Sequence, residues 1–132
     1  MKSAKRKEVW RRAAQACEYC GLKPDELCGQ ALQIEHIIAR QHGGGDDLTN
    51  LALACPWCNS HKGPNLSGID PISRQTVALF HPRNDAWSEH FEFSGSLIVG
   101  LTAIGRATIH VLQMNDSGQI DLRGKSRLEI EE

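Results

Sequence analysis

Two C-x-x-C pairs, Cys17 with Cys20 and Cys55 with Cys58, carry the most specific chemistry in this 132-residue chain. Thiolates at that spacing converge on one face of a tetrahedral ion, so two pairs complete a zinc coordination shell. Four thiolates saturate the metal and leave no position for water or substrate, which makes the expected zinc structural. Two unrelated pairs of buried thiols are the bland alternative. A redox pair is another, but neither C-x-x-C lies in the strand–helix context of a thioredoxin. Cys28 is left over, as a small core residue or an incidental thiol.

The long insert between the pairs holds Glu35, His36, the glycines 43–45 and Asn50, and Asn59, His61 and Lys62 follow Cys58. Carboxylate, imidazole and carboxamide groups bind cations, move protons or orient a group that does. Taken singly, each residue has a plainer reading. His36 is then a core histidine, Asn50 a turn residue, Asn59 a helix cap and Lys62 a solvated charge. Their joint occurrence inside a double knuckle argues for a site. Two geometric limits follow. Neighbouring residues on a strand point to opposite sides, so Glu35 and His36 share a site only where the strand ends or bends. Residues two apart on a helix point about 200° apart, so Asn59 and His61 do not both face one ion.

The elements that position these groups are short. Residues 2–16 read as a strongly basic helix, ending in the first knuckle. Residues 22–31 read as a loop broken by Pro24 and Gly29, and 32–38 alternate as a strand. The glycine-rich stretch 42–47 is a loop, 51–54 a buried strand, and the second knuckle opens a helix that Gly63–Pro64 ends. Beyond residue 65 the spacing predicts strands over 76–80, 87–93 and 96–101. Thr102 caps a helix running to about residue 114. The chain is therefore expected to be one α+β domain over 1–132. It comprises a basic helix (1–16), a zinc-knuckle core (17–64) and an accessory β-meander plus helix (65–132).

Composition narrows the function classes. With 40% hydrophobic and 23% charged residues the chain has ordinary globular balance, and 5% aromatics leave a small core. A net charge of −1 excludes a uniformly basic nucleic-acid coat but not a local basic patch. No apolar run reaches the roughly 18 residues of a membrane helix. The basic start, residues 1–7, has no apolar stretch behind it, so no secretory signal is expected and the cytoplasm is the default.

The run Ile34-Glu35-His36-Ile37-Ile38, then Gly43 to Leu51, then Cys55-Pro56-Trp57-Cys58-Asn59-Ser60-His61-Lys62-Gly63 resembles the HNH endonucleases, in the branch with two flanking C-x-x-C pairs. The likeness covers 17–63, about a third of the chain. It implies a ββα-metal fold and hydrolysis of DNA phosphodiester bonds, with RNA as the other backbone. By that likeness His36 is the general base, a role suited to an imidazole that titrates in the physiological range. Asn50 is the central asparagine that holds the loop. Asn59 binds the catalytic ion, with His61 as the alternative ligand or a phosphate contact. Glu35 stands where relatives carry aspartate, as a second ligand, and is one methylene longer. The ion is Mg2+ or Mn2+, or Ni2+ if a histidine ligates. Lys5, Arg6, Arg11, Arg12, Arg40 and Lys62 are the expected phosphate contacts, which give affinity without sequence choice. The competing reading is the same zinc fold as a catalytically inactive nucleic-acid-binding module. No pattern in the sequence reads as a dimer interface.

Overall fold

The structure, a computed structural model, describes residues 1–131 and the side chains of 1–124. Helix α1 spans Ser3–Arg12, with Arg11 and Arg12 in its last turn, where cations complement the helix dipole. It ends earlier than the expected residue 16, because Ala14 and Gln15 turn into the left-handed region, at φ 53° and 57°. That turn delivers Cys17 to the first knuckle. There the Cys17 amide donates to the Leu22 carbonyl and the Gly21 amide to the Cys17 carbonyl, both at 2.9 Å.

Strand β1 (Gln33–His36) pairs antiparallel with β2 (Leu51–Ala54), placing Glu35 opposite Ala52 and His36 opposite Leu51. β2 is a continuous Leu-Ala-Leu-Ala run buried at every position. Its second edge is taken by the first knuckle. The Glu18 amide donates to the Leu53 carbonyl, and the Leu53 amide donates to the Glu18 carboxylate, both at 2.8 Å. Helix α2 (Pro56–Lys62) begins at Cys55, whose sulfur accepts from the Cys58 amide at 3.4 Å. Proline at the first helical position suits this start, and Gly63, at φ 51°, ends the helix. The two strands, their loop and this helix are the expected ββα unit.

The second half departs from expectation. β3 (Ser67–Ile69) pairs with β4 (Thr76–Ala78), and β5 (Phe91–Ser94) pairs with β6 (Leu97–Gly100), as two separate hairpins. The expected β-meander is therefore absent: β4 finds its partner in β3, a strand unmarked in the sequence. The strand expected over 87–93 splits into a helical turn, α3 (Trp87–His90), and β5. Helix α4 (Ala103–Leu112) forms as expected, with the Thr102 hydroxyl accepting from the Gly105 amide. Helix α5 (Ser117–Glu131) follows, a second helix where the accessory part was expected to hold one. Among the described residues, no helix is long and apolar enough to cross a membrane.

Two tryptophans tie the halves together. The Trp87 indole donates to the Tyr19 carbonyl at 2.8 Å and the Trp57 indole to the Gln113 carbonyl at 2.9 Å. The core beneath gathers Val9, Tyr19, Leu22, Leu53, Phe80, Phe91, Ile98 and Leu112. Asp70, fully buried, takes both arms of the Arg106 guanidinium at 2.9 Å, clamping β3 to α4.

Candidate active site and metal centre

Cys17, Cys20, Cys55 and Cys58 are all buried, and their sulfurs lie within 4.8 Å of one another. Cys20 and Cys55 approach to 3.6 Å, the separation expected of two ligands on one tetrahedral zinc. Burial opposes ionisation of Cys17, but hydrogen bonds from Cys20, Cys55 and Cys58 outweigh it and hold that thiol well below its ordinary value. Hydrogen bonding to Cys17, together with burial, pushes Cys20 and Cys58 well above theirs. A cation bound among these four buried sulfurs would supply the charge that lets them act as thiolate ligands. The donor set fits zinc, in a closed structural site. Cys28 lies outside it and is exposed, not a core residue.

At the end of β1 the His36 ring faces the glycine loop. Its Nε2 lies 2.6 Å from Oδ1 of Asp46. Asn50 organises this loop from the base of β2. Its carboxamide accepts from the Ile38 amide at 2.8 Å and donates to the carbonyls of Ile38 and Gly45 at 3.0 and 2.9 Å. The Ile37 amide also donates to the Asn50 carbonyl. The loop passes so close to this rung that a Cβ on Gly44 would meet the Ile38 carbonyl oxygen at 1.7 Å, so position 44 admits only glycine. The loop-holding role expected of Asn50 has a clear geometry here.

Glu35 points the other way, into the core. Its carboxylate accepts from the Tyr19 hydroxyl and faces the Lys62 ammonium at 3.6 Å. Burial raises the Glu35 carboxyl, against the pull of Lys62 and the Tyr19 hydroxyl. Burial, with the Glu35 charge next, raises Tyr19 well above the usual phenol. Lys62 was expected at the phosphate surface, but its side chain is only 2% exposed and its ammonium donates to the Ile37 carbonyl at 2.8 Å. It braces β1 from beneath and does not reach a backbone phosphate.

The three expected ligands of a catalytic ion do not form one site. Glu35 is committed to Tyr19 and Lys62, whose ammonium would repel a cation there. Asn59 donates to the Gln33 side chain at 2.7 Å. His61 stacks on Trp57 with ring centres 4.1 Å apart and bonds the Trp57 carbonyl through Nδ1. It lines a cleft with Leu27, Pro56 and Leu122, away from His36. Among the described residues the cysteine cluster is the one group of three or more His, Cys, Asp and Glu side chains close enough together to hold an ion.

The basic residues divide. Lys5 reaches the loop and donates to the Asp46 carbonyl at 2.8 Å, and Arg40 lies 3.2 Å from the Asp46 carboxylate, so both stand beside His36. Arg6 is exposed on α1. Arg11 is exposed but paired with Glu8. Arg12 turns inward and donates to the Leu51 carbonyl, a structural contact in place of the expected phosphate contact. Sequence reading missed Asp46 and Tyr19 as partners. No periodicity marks Asp46, since its proximity to His36 depends on the path of the glycine loop.

Residues 17–65 match the family model described as HNH endonuclease. The double knuckle, the β1–β2 pair and α2 therefore form an HNH-type segment. The Septu protein PtuB of Bacillus thuringiensis is 28% identical over 101 residues, covering 75% of this chain and 36% of that protein. The chain thus corresponds to little more than a third of that relative's length. No solved structure matches the chain at a significant level.

Proposed function

We propose that this protein is an endonuclease acting on DNA, with RNA as the alternative backbone, and that His36 is its general base. One observation carries the reading: His36 stands half-buried at a strand end inside an HNH-type segment, with Lys5 of α1 and Arg40 both contacting the loop residue Asp46 beside it. Those cations draw a phosphodiester toward an imidazole able to take a proton from water. The water oxygen attacks phosphorus as His36 takes its proton, the bond to the sugar oxygen breaks, and that oxygen leaves as a hydroxyl by taking a proton from solvent. Cys17, Cys20, Cys55 and Cys58 would hold a zinc ion that fastens the two knuckles together and takes no part in the chemistry. Mg2+, Mn2+ or Ni2+ is expected from the family resemblance. No step is assigned to that ion here, because Glu35, Asn59 and His61 are not arranged to bind one. The domain is proposed to act as a single unit in the cytoplasm.

That same dispersal of ligands favours a second reading, a zinc-stabilised nucleic-acid-binding module without activity. A plasmid-relaxation assay separates the two. Supercoiled DNA is incubated with the zinc-loaded protein in Mg2+, Mn2+ or Ni2+, and in EDTA. Conversion to nicked or linear form supports the endonuclease. Retarded migration with no cleavage in any ion supports the binding module.

A further inference from the structure

We infer that Asp46 is the positioning residue for His36: it holds the imidazole in the tautomer that leaves Nδ1 as the proton-accepting atom. The inference rests on the reading of His36 as the base. Its ground is geometry. Oδ1 of Asp46 lies 2.6 Å from Nε2, and among the described residues Nδ1 has no hydrogen-bond partner. An ionised carboxylate only accepts, so the hydrogen between these atoms belongs to Nε2. A neutral imidazole carries one N–H, so Nδ1 then bears the lone pair.

Asp46 is itself held from several directions. Arg40 Nη2 lies 3.2 and 3.5 Å from its two carboxylate oxygens. Lys5 grips its backbone carbonyl, and Asn50 grips the carbonyl of Gly45 just before it. The hydrogen bond from His36, then the Arg40 charge, keeps the carboxyl below the usual carboxylate value. The pair is open to water, with Asp46 49% and His36 23% exposed, so it adds little stability. What it supplies is orientation, and a ring displaced by about 1 Å costs on the order of 10²-fold in rate.

The test compares Asp46→Asn, Asp46→Glu and Arg40→Ala with the parent in the full, zinc-loaded chain. Imidazole 15N shifts report the His36 tautomer without reference to activity. The parent and Arg40→Ala are expected to hold the hydrogen on Nε2, and Asp46→Asn to give a mixture. A parent ring with its hydrogen on Nδ1 overturns the inference, whether or not the protein cleaves DNA. In plasmid nicking, Asp46→Asn is expected to lower kcat about 10²-fold with little change in KM, and Asp46→Glu to recover part of it. An unchanged kcat in Asp46→Asn also overturns it. A parent with the expected tautomer but no cleavage preserves the pairing and removes the enzymatic reading, so the two failures are distinguishable.

Discussion

Asn50 holds both backbone groups of Ile38: its carboxamide accepts from the amide at 2.8 Å and donates to the carbonyl at 3.0 Å. A side chain thereby supplies the rung that a partner strand would supply, extending the β1–β2 ladder past His36. The same amide fixes the Gly45 carbonyl, so strand end and loop are set by one residue. Asn50→Asp keeps the acceptor and loses both donors, aiming a charge at two carbonyls. The expected result is a loss of about 1–3 kcal/mol in urea denaturation and roughly a 10²-fold drop in cleavage, with zinc retained.

Removing the metal is predicted to unfold the domain. The apparent binding free energy of a structural four-ligand zinc is about 10–16 kcal/mol, as large as the whole stability of a small domain. Cys58→Ser, or a strong chelator at neutral pH, should release one zinc per chain together with the loss of far-ultraviolet ellipticity. A metal-free protein with parental ellipticity would remove zinc from the fold.

Lys62 gives a pH-dependent prediction. Lys62→Met leaves Glu35 buried without its ammonium, at a cost of about 3–5 kcal/mol near neutrality. Burial already raises the Glu35 carboxyl, and losing Lys62 raises it further. A group whose value is raised on folding favours the folded state below its unfolded value, near pH 4.3, and loses that contribution as pH rises through its folded value. The variant should therefore lie nearest the parent in acid and fall away toward neutral pH. Urea melts at pH 4 and pH 7 measure the gap, and a constant gap would acquit Glu35.

The cysteine cluster and the elements around it were legible because knuckles, glycine loops and buried strands leave strong local signals. The pairs at Cys17 and Cys55, the β2 run and the Thr102 cap all depend on residues close in sequence. What escaped depends on tertiary contact. Residues 87–93 alternate like a strand. Yet the His90 carbonyl is taken by the Leu101 amide, with Gly105 packed so near that a Cβ there would lie 2.0 Å away, and the chain coils before β5. β3 carries a glycine, Gly68, packed on Val111, and so shows no apolar stripe. Lys62 reads as a solvated helix charge until β1 closes over it.

The basic residues should separate by function. Arg6→Ala removes an exposed cation and is expected to weaken DNA binding, lowering the salt slope by about one unit with little effect on stability. Arg12→Ala instead takes a donor from the Leu51 carbonyl and should lower stability. Fluorescence anisotropy across a salt series, beside thermal melts, distinguishes the two. Equal effects of both variants on the salt slope would contradict this division.

The most direct test of the central claim is a single-turnover nicking experiment on supercoiled plasmid, comparing the parent with His36→Ala, both shown to be folded and zinc-loaded. General-base catalysis contributes about 10²–10⁴-fold, so cleavage in the variant should fall by at least that lower figure while DNA binding persists. Cleavage by His36→Ala at the parental rate would contradict the account and move the chemistry elsewhere in the chain.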